Sequence, residues 1–353
     1  MALYVFAFIT LLLLSIAEVF YDNKKIVLIG GGLLAILAGL RYYSGYDFVS
    51  YYYFFYDLTG LSDVFNGSID AEPGYLFLNY LFLKLGLNYY AFILFFAFLS
   101  MGLLVNYLYK NNPYPSLVLF YYFSRFFLAR DMGQIRGSIA SIILLYSVKY
   151  MQQKQLFRFL LVVGIASLFH ITALIFIVGY VYENYLHNGS WLQVMVLFGL
   201  AVAAGIVVQM PQLYLWAVPD RYAPYFTNPA YTGGQWLLNP VLLMQLLIFF
   251  GTLLFTNIRK DEKYRTYHNL YFLASLILIA FGNLATVGGR LSSPFATYEM
   301  FVAPYFILNF TKNKMVNLIF CLGFTVVIFL LIFILSGDYS YFIPYATLFD
   351  SIF

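Results

Sequence analysis

Isolated ionisable side chains in an otherwise apolar chain are the first candidates for chemistry. His170 stands within "ASLFHITALIF", and Arg136 within "RDMGQIRGSIAS". An ionisable group at membrane depth is costly unless it faces a cavity or a partner, so each is a functional-site hypothesis. A histidine that faces water can act as a general base or donate to a phosphate, and an arginine fork matches phosphate oxygens. Structural alternatives stay open: a core hydrogen bond for His170, and for Arg136 an internal ion pair with Asp131 or Glu72 or a side chain that reaches the interface.

Three more arginines are candidates for binding a phosphate or a substrate. Arg130 lies in the same segment as Arg136, and with it presents donors toward an aqueous mouth. Arg290, in "TVGGRLSSPF", follows two glycines that would let a ligand approach the backbone closely. Arg221, in "VPDRYAPYFTNP", stands beside Asp220, which offers a plain ion pair as the alternative.

Two acidic candidates lie in the first long polar stretch. In "GLRYYSGYDFVSYYYFFYD" (39 to 57), Arg41 and Asp47 fall within seven residues, and seven tyrosines follow Arg41. Tyrosines concentrate at membrane interfaces, so an aromatic belt is the ordinary explanation for most of them. Aromatic faces also stack on sugar rings, and a carboxylate among them could bind hydroxyls or act as a base. We therefore assign function to Arg41 and Asp47, and add Glu72 as a further candidate base.

The elements that must position these residues are membrane helices. The chain is 63% hydrophobic and 10% charged, with many apolar runs of about 17 to 22 residues, the length that crosses a bilayer. These runs do not alternate in polarity as the strands of a transmembrane barrel do. The sequence therefore predicts an all-α polytopic membrane protein.

Composition and motifs also exclude several classes of function. The net charge is +4, and basic residues lie mostly between apolar runs, so the charge indicates topology and not nucleic-acid binding. Cys321 is the single cysteine of the sequence and lies in an apolar segment, which leaves no intrachain disulfide. No HExxH, CxxC, GxSxG or P-loop pattern occurs, so a zinc hydrolase, a serine hydrolase or a nucleotide-driven pump lacks support. The prediction is a site without metal or cofactor.

Basic connections give the topology, because positively charged loops face the cytoplasm. The basic connections are "DNKK" (22 to 25), Lys110, "KYMQQKQLFR" (149 to 158), "IRKDEKYR" (258 to 265) and "KNK" (312 to 314). The outer-face segments are about 41–88, 211–239, 285–297 and the tail 337–353. Single crossings are predicted at 2–20, 26–40, 89–109, 114–130, 131–150, 190–209, 240–258, 267–284, 297–311 and 315–336.

Two places do not fit single crossings. The segment 73–86 is too short to span and has outer-face neighbours on both sides, so we interpret it as a re-entrant or interfacial helix. Residues 156 to 186 would reach about 46 Å as one straight helix, too long for one untilted crossing. Two short helices with a break near His170 satisfy the topology. The prediction is a single transmembrane domain over 1–353 with about twelve crossings and both termini outside.

Under this topology the ionisable candidates gather near the outer face. They are Arg41, Asp47, Glu72, Arg125, Arg130, Asp131, Arg136, His170, Asp220, Arg221, Arg290 and Glu299. Glu299 is included as a substrate-binding candidate because of this position.

Five stretches together resemble a known family. They are "GLRYYSGYDFVSYY", "EPGYLFLNYLFLKLG", "GQIRGSIASIILLYSVKY", "ASLFHITALI" and "YFIPYATLF". In this order they look like the EpsG branch of the Wzy-type O-antigen and exopolysaccharide polymerases. The resemblance is densest from 39 to 186, and it carries over to Arg41, Asp47, Glu72, Arg136 and His170.

The resemblance implies a multi-pass enzyme of the bacterial inner membrane with its active site toward the periplasm. Such an enzyme joins oligosaccharide repeats carried on undecaprenyl diphosphate, which serve as donor and acceptor, in lipopolysaccharide or exopolysaccharide biosynthesis. It also implies membrane lipid and a chain-length regulator protein as partners.

Two other functions are compatible with the sequence. One is a membrane glycosyltransferase that adds a single sugar from a polyprenyl-phosphate donor. The other is a transporter or flippase for lipid-linked sugars, whose polar residues should be distributed from one face to the other.

Overall fold

The computed structural model describes residues 1–187, 189–220, 223–229 and 231–347, and the chain is mostly helical (76%). This confirms an all-α membrane fold. Nine α-helices precede residue 156: α1 (Ala2–Tyr21), α2 (Val27–Gly39), α3 (Phe48–Tyr56), α4 (Pro73–Lys84), α5 (Tyr89–Asn111), α6 (Pro115–Tyr122), α7 (Leu128–Arg130), α8 (Ile135–Leu145) and α9 (Val148–Gln152). The later ones are α10 (Leu156–Ser167), α11 (Phe176–Val181), α12 (Trp191–Val208), α13 (Pro224–Thr227), α14 (Pro240–Phe255), α15 (Glu262–Phe281), α16 (Ala285–Ala296), α17 (Glu299–Leu308) and α18 (Lys314–Phe329).

Shorter elements join or extend these helices. Segments of π-helix lie at Phe123–Phe127, Tyr182–Leu186 and Leu330–Leu335. Turns of 3-10 helix lie at Lys24–Ile26, Leu61–Val64, Ile171–Ile175, Pro211–Leu213, Leu215–Ala217, Trp236–Leu238, Ile258–Lys260 and Asp338–Tyr341. Strands β1 (Arg41–Tyr42) and β2 (Ala346–Thr347) pair antiparallel, with Arg41 opposite Thr347. Two of the stretches singled out by sequence, far apart along the chain, are thus hydrogen-bonded to each other.

Four helical segments of the described chain are long and apolar enough to cross a membrane: Ala2–Tyr21, Tyr89–Asn111, Trp191–Val208 and Lys314–Leu335. Shorter apolar helices lie at Leu156–Ser167, Ile171–Leu186, Pro240–Phe255 and Glu299–Leu308. These helices support a multi-pass membrane protein. The count of about twelve crossings stays a prediction.

The described chain packs as two compact units. Unit 1 contains Met1–Tyr146, Gly164–Ile171 and the segment from residue 313 onward, and unit 2 contains Ser147–Val163 and Thr172–Lys312. The single transmembrane domain predicted over 1–353 stays a prediction beside this division.

In unit 1, glycines let α2 and α5 approach each other closely. A Cβ on Gly31 would lie 2.4 Å from Val105 Cγ2, and one on Gly39 would lie 2.9 Å from the Cα of Leu94. Without a water-driven hydrophobic effect, membrane helices associate by such close packing of small residues. Gly31 and Gly39 therefore let α2, the helix that leads into β1, pack closely against α5.

The N-terminus of α6 is capped by a buried carboxylate. Glu18 of α1 accepts hydrogen bonds from the Ser116 amide (3.0 and 2.9 Å to its two oxygens), the Ser116 hydroxyl (3.0 Å) and the Leu117 amide (3.3 Å). The first amides of a helix have no intrahelical acceptor, and the helix dipole favours negative charge there. Glu18 is therefore structural.

The helix break predicted near His170 is confirmed. The α10 helix ends at Ser167, and the next helical turn starts at Ile171. A 12-residue helix also begins at Pro73, where a short helix was predicted, but its re-entrant or interfacial placement stays a prediction.

One predicted loop is helical. Residues 285–297 are predicted as an outer-face loop because they lie between basic connections, among the segments rich in Asp, Glu, Gly, Pro and Tyr, yet α16 covers Ala285–Ala296 with Pro294 inside it. Its Gly288 packs where a Cβ would lie 2.8 Å from the Phe281 carbonyl oxygen. Close packing against the end of α15 thus outweighs the low helix propensity of glycine.

Gly45 offers a test of the packing between the segment that precedes α3 and the turn after α7. Its φ is +102°, and a Cβ there would lie 1.9 Å from the Met132 carbonyl oxygen. Gly45→Ala is expected to lower the free energy of unfolding by about 3 kcal/mol or more, because backbone strain and a clash with main chain combine. Thermal unfolding in detergent measures it.

The matched control is Gly67→Ala. Gly67 also has a positive φ, +74°, but a Cβ there would meet nothing within 4 Å. Gly67→Ala should lower the free energy of unfolding only by the part that comes from backbone strain. Equal melting temperatures for the two variants would contradict a clash between a side chain at position 45 and the Met132 carbonyl oxygen.

Candidate active site

Glu72 connects two other ionisable side chains of unit 1. It lies directly before α4 in extended backbone (φ −73°, ψ 147°), and Pro73 begins the helix. Its Oε1 lies 2.7 Å from His170 Nδ1, and its Oε2 accepts a hydrogen bond from Arg136 Nη1. The Ile171 amide also donates to Oε1, at 3.1 Å. Residues 64 and 98 positions away from Glu72 therefore meet at one carboxylate.

The Glu72 carboxyl is ionised in this arrangement. Burial alone would raise its pKa, but the hydrogen bond from His170, the charge of Arg136 and the Ile171 amide outweigh burial and lower the pKa to about 2. A carboxylate with so low a pKa accepts hydrogen bonds and binds a proton weakly. Glu72 is therefore better fitted to orient its partners than to act as a base.

The charge on Glu72 fixes the tautomer of His170. Since the carboxylate can only accept, His170 Nδ1 must donate to it, and in the neutral imidazole Nε2 is then left as the acceptor. A carboxylate that holds the first nitrogen in this way leaves the second nitrogen available for a substrate proton. The His170 side chain is 23% exposed, against 15% for Glu72, so the histidine is the more accessible member of the pair.

The break between α10 and Ile171 is fixed against the start of α4. The Leu168 carbonyl accepts hydrogen bonds from the Gly74 amide (2.8 Å) and the Tyr75 amide (3.3 Å). A Cβ on Gly74 would lie 2.7 Å from both the Cβ and the carbonyl oxygen of Leu168. Glycine at 74 is therefore what allows the two backbones to meet, and this contact holds His170 beside Glu72.

Arg136, in the first turn of α8, projects into an aromatic environment. Its Cζ lies 5.6 Å from the ring centroid of Tyr51, 5.4 Å from that of Phe54 and 5.8 Å from that of Tyr75. Such rings stabilise a guanidinium through their quadrupoles. Arg136 Nε is buried without a hydrogen-bond partner. The side chain thus keeps a donor beyond the one it gives to Glu72.

Gly137 makes room for the imidazole. A Cβ at this position would lie 3.2 Å from His170 Cδ2 and 3.8 Å from His170 Nε2. The ring edge that carries Nε2 therefore faces α8, close to the helical turn that presents Arg136.

Arg41, predicted to bind substrate, is fully buried. Its Nη1 donates to the carbonyls of Ala38 (2.5 Å) and Asp131 (3.1 Å), while Nε and Nη2 have no partner. The Asp131 carboxylate accepts hydroxyl hydrogen bonds from Ser100 (2.8 Å), Tyr122 (2.6 Å) and Ser138 (2.8 Å). This polar network ties the start of β1 to α5, α6 and α8. The buried Arg41 therefore fits the role of positioning β1 against these helices.

Glu72, Arg136 and His170 form what we call the Glu72 cluster. Two further candidates of unit 1 lie outside it. Arg130 is 8% exposed, and its Cζ lies 4.2 Å from the ring centroid of Phe126. Asp47 is half-buried and directly precedes α3.

The remaining candidates belong to unit 2. Arg290 is exposed on α16 and donates to the Tyr225 hydroxyl (3.3 Å). Glu299 is fully buried and accepts from the Tyr271 hydroxyl (3.0 Å). Arg221 lies outside the described residues.

The structure brings together Glu72, Arg136 and His170. Sequence reasoning named all three and gave an ion pair with Glu72 as an alternative for Arg136, but it did not pair Glu72 with His170. It also missed the aromatic rings around Arg136 and the three hydroxyls on Asp131, for which spacing gives no signal. Within the described ranges, no group of three or more His, Cys, Asp or Glu side chains could hold a metal ion.

Comparison with known proteins identifies a family model that covers most of the chain. The model of the EpsG family matches residues 24–347, a range that includes every member of the Glu72 cluster. No curated protein and no solved structure matches the chain.

Proposed function

The chain belongs to the EpsG family of Wzy-like polymerases, and from this premise we propose that it joins lipid-linked oligosaccharide repeats into a polysaccharide. The family and the apolar helices indicate a polysaccharide polymerase-like membrane protein with glycosyl-transfer activity. In our proposal the repeats are carried on undecaprenyl diphosphate as donor and acceptor. The observation that carries the mechanism is the Glu72 carboxylate with His170 and Arg136 on its two oxygens.

The proposed reaction is a metal-independent glycosyl transfer. A hydroxyl oxygen at the non-reducing end of one lipid-linked repeat attacks the anomeric carbon of the growing chain. A new carbon–oxygen glycosidic bond forms, and the bond between that carbon and the diphosphate oxygen breaks. The hydroxyl proton passes to the base, and undecaprenyl diphosphate leaves with the bonding electron pair.

His170 is the proposed base. Its Nδ1 is committed to Glu72, so Nε2 can accept the proton as the hydroxyl attacks. Glu72 holds the tautomer and stabilises the imidazolium that forms, as a buried carboxylate does for a catalytic histidine. Asp47 stays a candidate base from the sequence.

Arg136 is the proposed group that stabilises charge on the leaving diphosphate. Its side chain is 18% exposed, and an arginine beside aromatic rings suits a site from which water is partly excluded. Exposed Arg290 is a second phosphate-binding candidate. The burial of Arg41 and Glu299 favours positioning over direct contact, and substrate binding by Arg130 and Arg221 stays a prediction.

Orientation follows from charge. Because the basic connections should face the cytoplasm, we propose that the Glu72 cluster faces the periplasm of a bacterial inner membrane. A chain-length regulator protein is the proposed protein partner.

The test uses purified full-length protein in detergent with undecaprenyl-diphosphate-linked repeats. The expected product is a ladder of chains that differ by whole repeats, because both donor and acceptor are supplied. Electrophoresis and mass spectrometry of the products measure it.

Two results would contradict the proposal in this assay. Growth by one monosaccharide would identify a single-sugar transferase. Unchanged substrate with folded protein would favour a transporter, since transport has no product without a membrane barrier.

A further inference from the structure

Unit 2 contains a cleft that the proposed reaction does not use. It is open to solvent, and its cavity volume is about 20 Å³. Apolar side chains of α12, α14 and α15 form its walls: Val194, Leu253 and Phe272. Its polar lining comes mainly from Arg259, Arg265 and Asn269. A cleft with apolar walls and cationic groups is typical of a site for an amphiphilic anion.

The two arginines of the cleft are not neutralised. Arg265, near the start of α15, is half-buried, and its Nε is buried without a hydrogen-bond partner. Arg259 is exposed in the turn Ile258–Lys260, with its Cζ 5.7 Å from the ring centroid of Trp191. In the part of the chain that the structure describes, neither guanidinium makes an ion pair.

Nearby carboxylates are engaged elsewhere. Glu183 accepts from the Thr266 hydroxyl (2.9 Å) and from Asn269 Nδ2 (2.7 Å). Asp261 caps α15 by accepting from the Tyr264 amide (3.1 Å). These hydrogen bonds do not involve the two arginines, and Arg265 Nε keeps a donor without a partner.

Charged groups of both signs act on His187, which also lines the cleft. Burial lowers the pKa of His187, Glu183 opposes this, and the charges of Arg265 and Arg259 lower it further.

The position of the cleft in the chain indicates the source of the anion. Both arginines belong to the basic connection 258–265, which should face the cytoplasm. The cytoplasmic leaflet is rich in anionic lipids, and basic pockets between membrane helices bind their head groups. We propose that the cleft lined by Arg259 and Arg265 binds a phosphate group, and that this phosphate belongs to an anionic membrane lipid.

Thermal unfolding of the purified full-length protein in a phosphate-free neutral detergent tests this binding. The added probes are dioctanoyl phosphatidylglycerol, inorganic phosphate and, for background, dioctanoyl phosphatidylcholine. Phosphatidylglycerol is expected to raise the melting temperature. Arg265→Gln and Arg259→Gln should each raise the phosphatidylglycerol concentration needed for half of that shift about tenfold or more, because each removes a charge-assisted hydrogen bond.

Arg158→Gln is the matched control. Arg158 is an exposed arginine of another basic connection and donates to Gln155 Oε1 at 2.9 Å, so its loss should leave the shift intact. Arg259→Gln keeps the test informative if the half-buried Arg265 variant misfolds.

The outcomes separate the sources. A shift from inorganic phosphate equal to that from the lipid, and lost in both cleft variants, supports the phosphate site with free phosphate as the ligand. No shift above background, or a shift that both cleft variants retain, overturns the proposal. Binding is measured without catalysis, so this result is independent of the polymerase assay.

Discussion

Replacing His170 with alanine is expected to lower the rate of polymer formation by about 10²–10⁴-fold, the usual contribution of a positioned general base. The expectation rests on Nδ1 being held by Glu72 at 2.7 Å, which leaves Nε2 as the group that can accept the hydroxyl proton. The rate of ladder formation by the purified variant on lipid-linked repeats measures the effect. Donor binding should change much less than the rate.

Ser167→Ala is the control for this variant. Ser167 is three residues away, and its hydroxyl donates to the Gly164 carbonyl at 2.8 Å. It should polymerise at the wild-type rate. Added imidazole should restore part of the activity of His170→Ala, which a purely structural histidine would not permit. A wild-type ladder from folded His170→Ala would remove His170 from the mechanism.

Replacing Arg136 with alanine is expected to abolish long chains and leave single-repeat glycolipid in cells. Loss of one donor to a developing oxyanion typically costs about 10²–10³-fold in rate. Arg136→Lys keeps a positive charge beside Glu72 but loses the planar fork, so it should remain folded and still lose most of the activity. Gel analysis of cellular polysaccharide at matched protein levels, with the purified assay beside it, measures both.

Arg136 also partners Glu72, so its loss could act through stability. The double variant Arg136→Ala with Glu72→Gln removes the carboxylate charge that Arg136→Ala leaves uncompensated. It should regain melting temperature relative to Arg136→Ala without regaining activity. Because Glu72 belongs to the same proposed catalytic group, the double variant tests stability only, and normal chain lengths from folded Arg136→Ala would remove Arg136 from the mechanism.

The sequence predicted the parts of the site that depend on chain order. Loop charge and the excessive length of 156–186 required a break near His170, and the structure has one between Ser167 and Ile171. The unusual polarity of Glu72, Arg136 and His170 in apolar surroundings selected them individually. These are one-dimensional signals, set by charge, length and hydropathy.

The pairing of those residues could not be predicted in the same way. Glu72 and His170 are 98 positions apart and meet only because Gly74 lets Leu168 approach the start of α4. The same limit explains the missed helix α16: the propensities of glycine and proline are local, whereas packing against α15 is not. Both the Glu72–His170 pair and helix α16 depend on contacts that the local sequence does not encode.

The hydrogen bonds from Gly74 and Tyr75 to the Leu168 carbonyl bear on repeated turnover. In the proposed reaction the same step is repeated many times on a growing product. Main-chain hydrogen bonds join the segment bearing His170 to the segment bearing Glu72, so the two segments move together. In the proposed mechanism this connection would keep the imidazole and the carboxylate at the same separation from one turnover to the next.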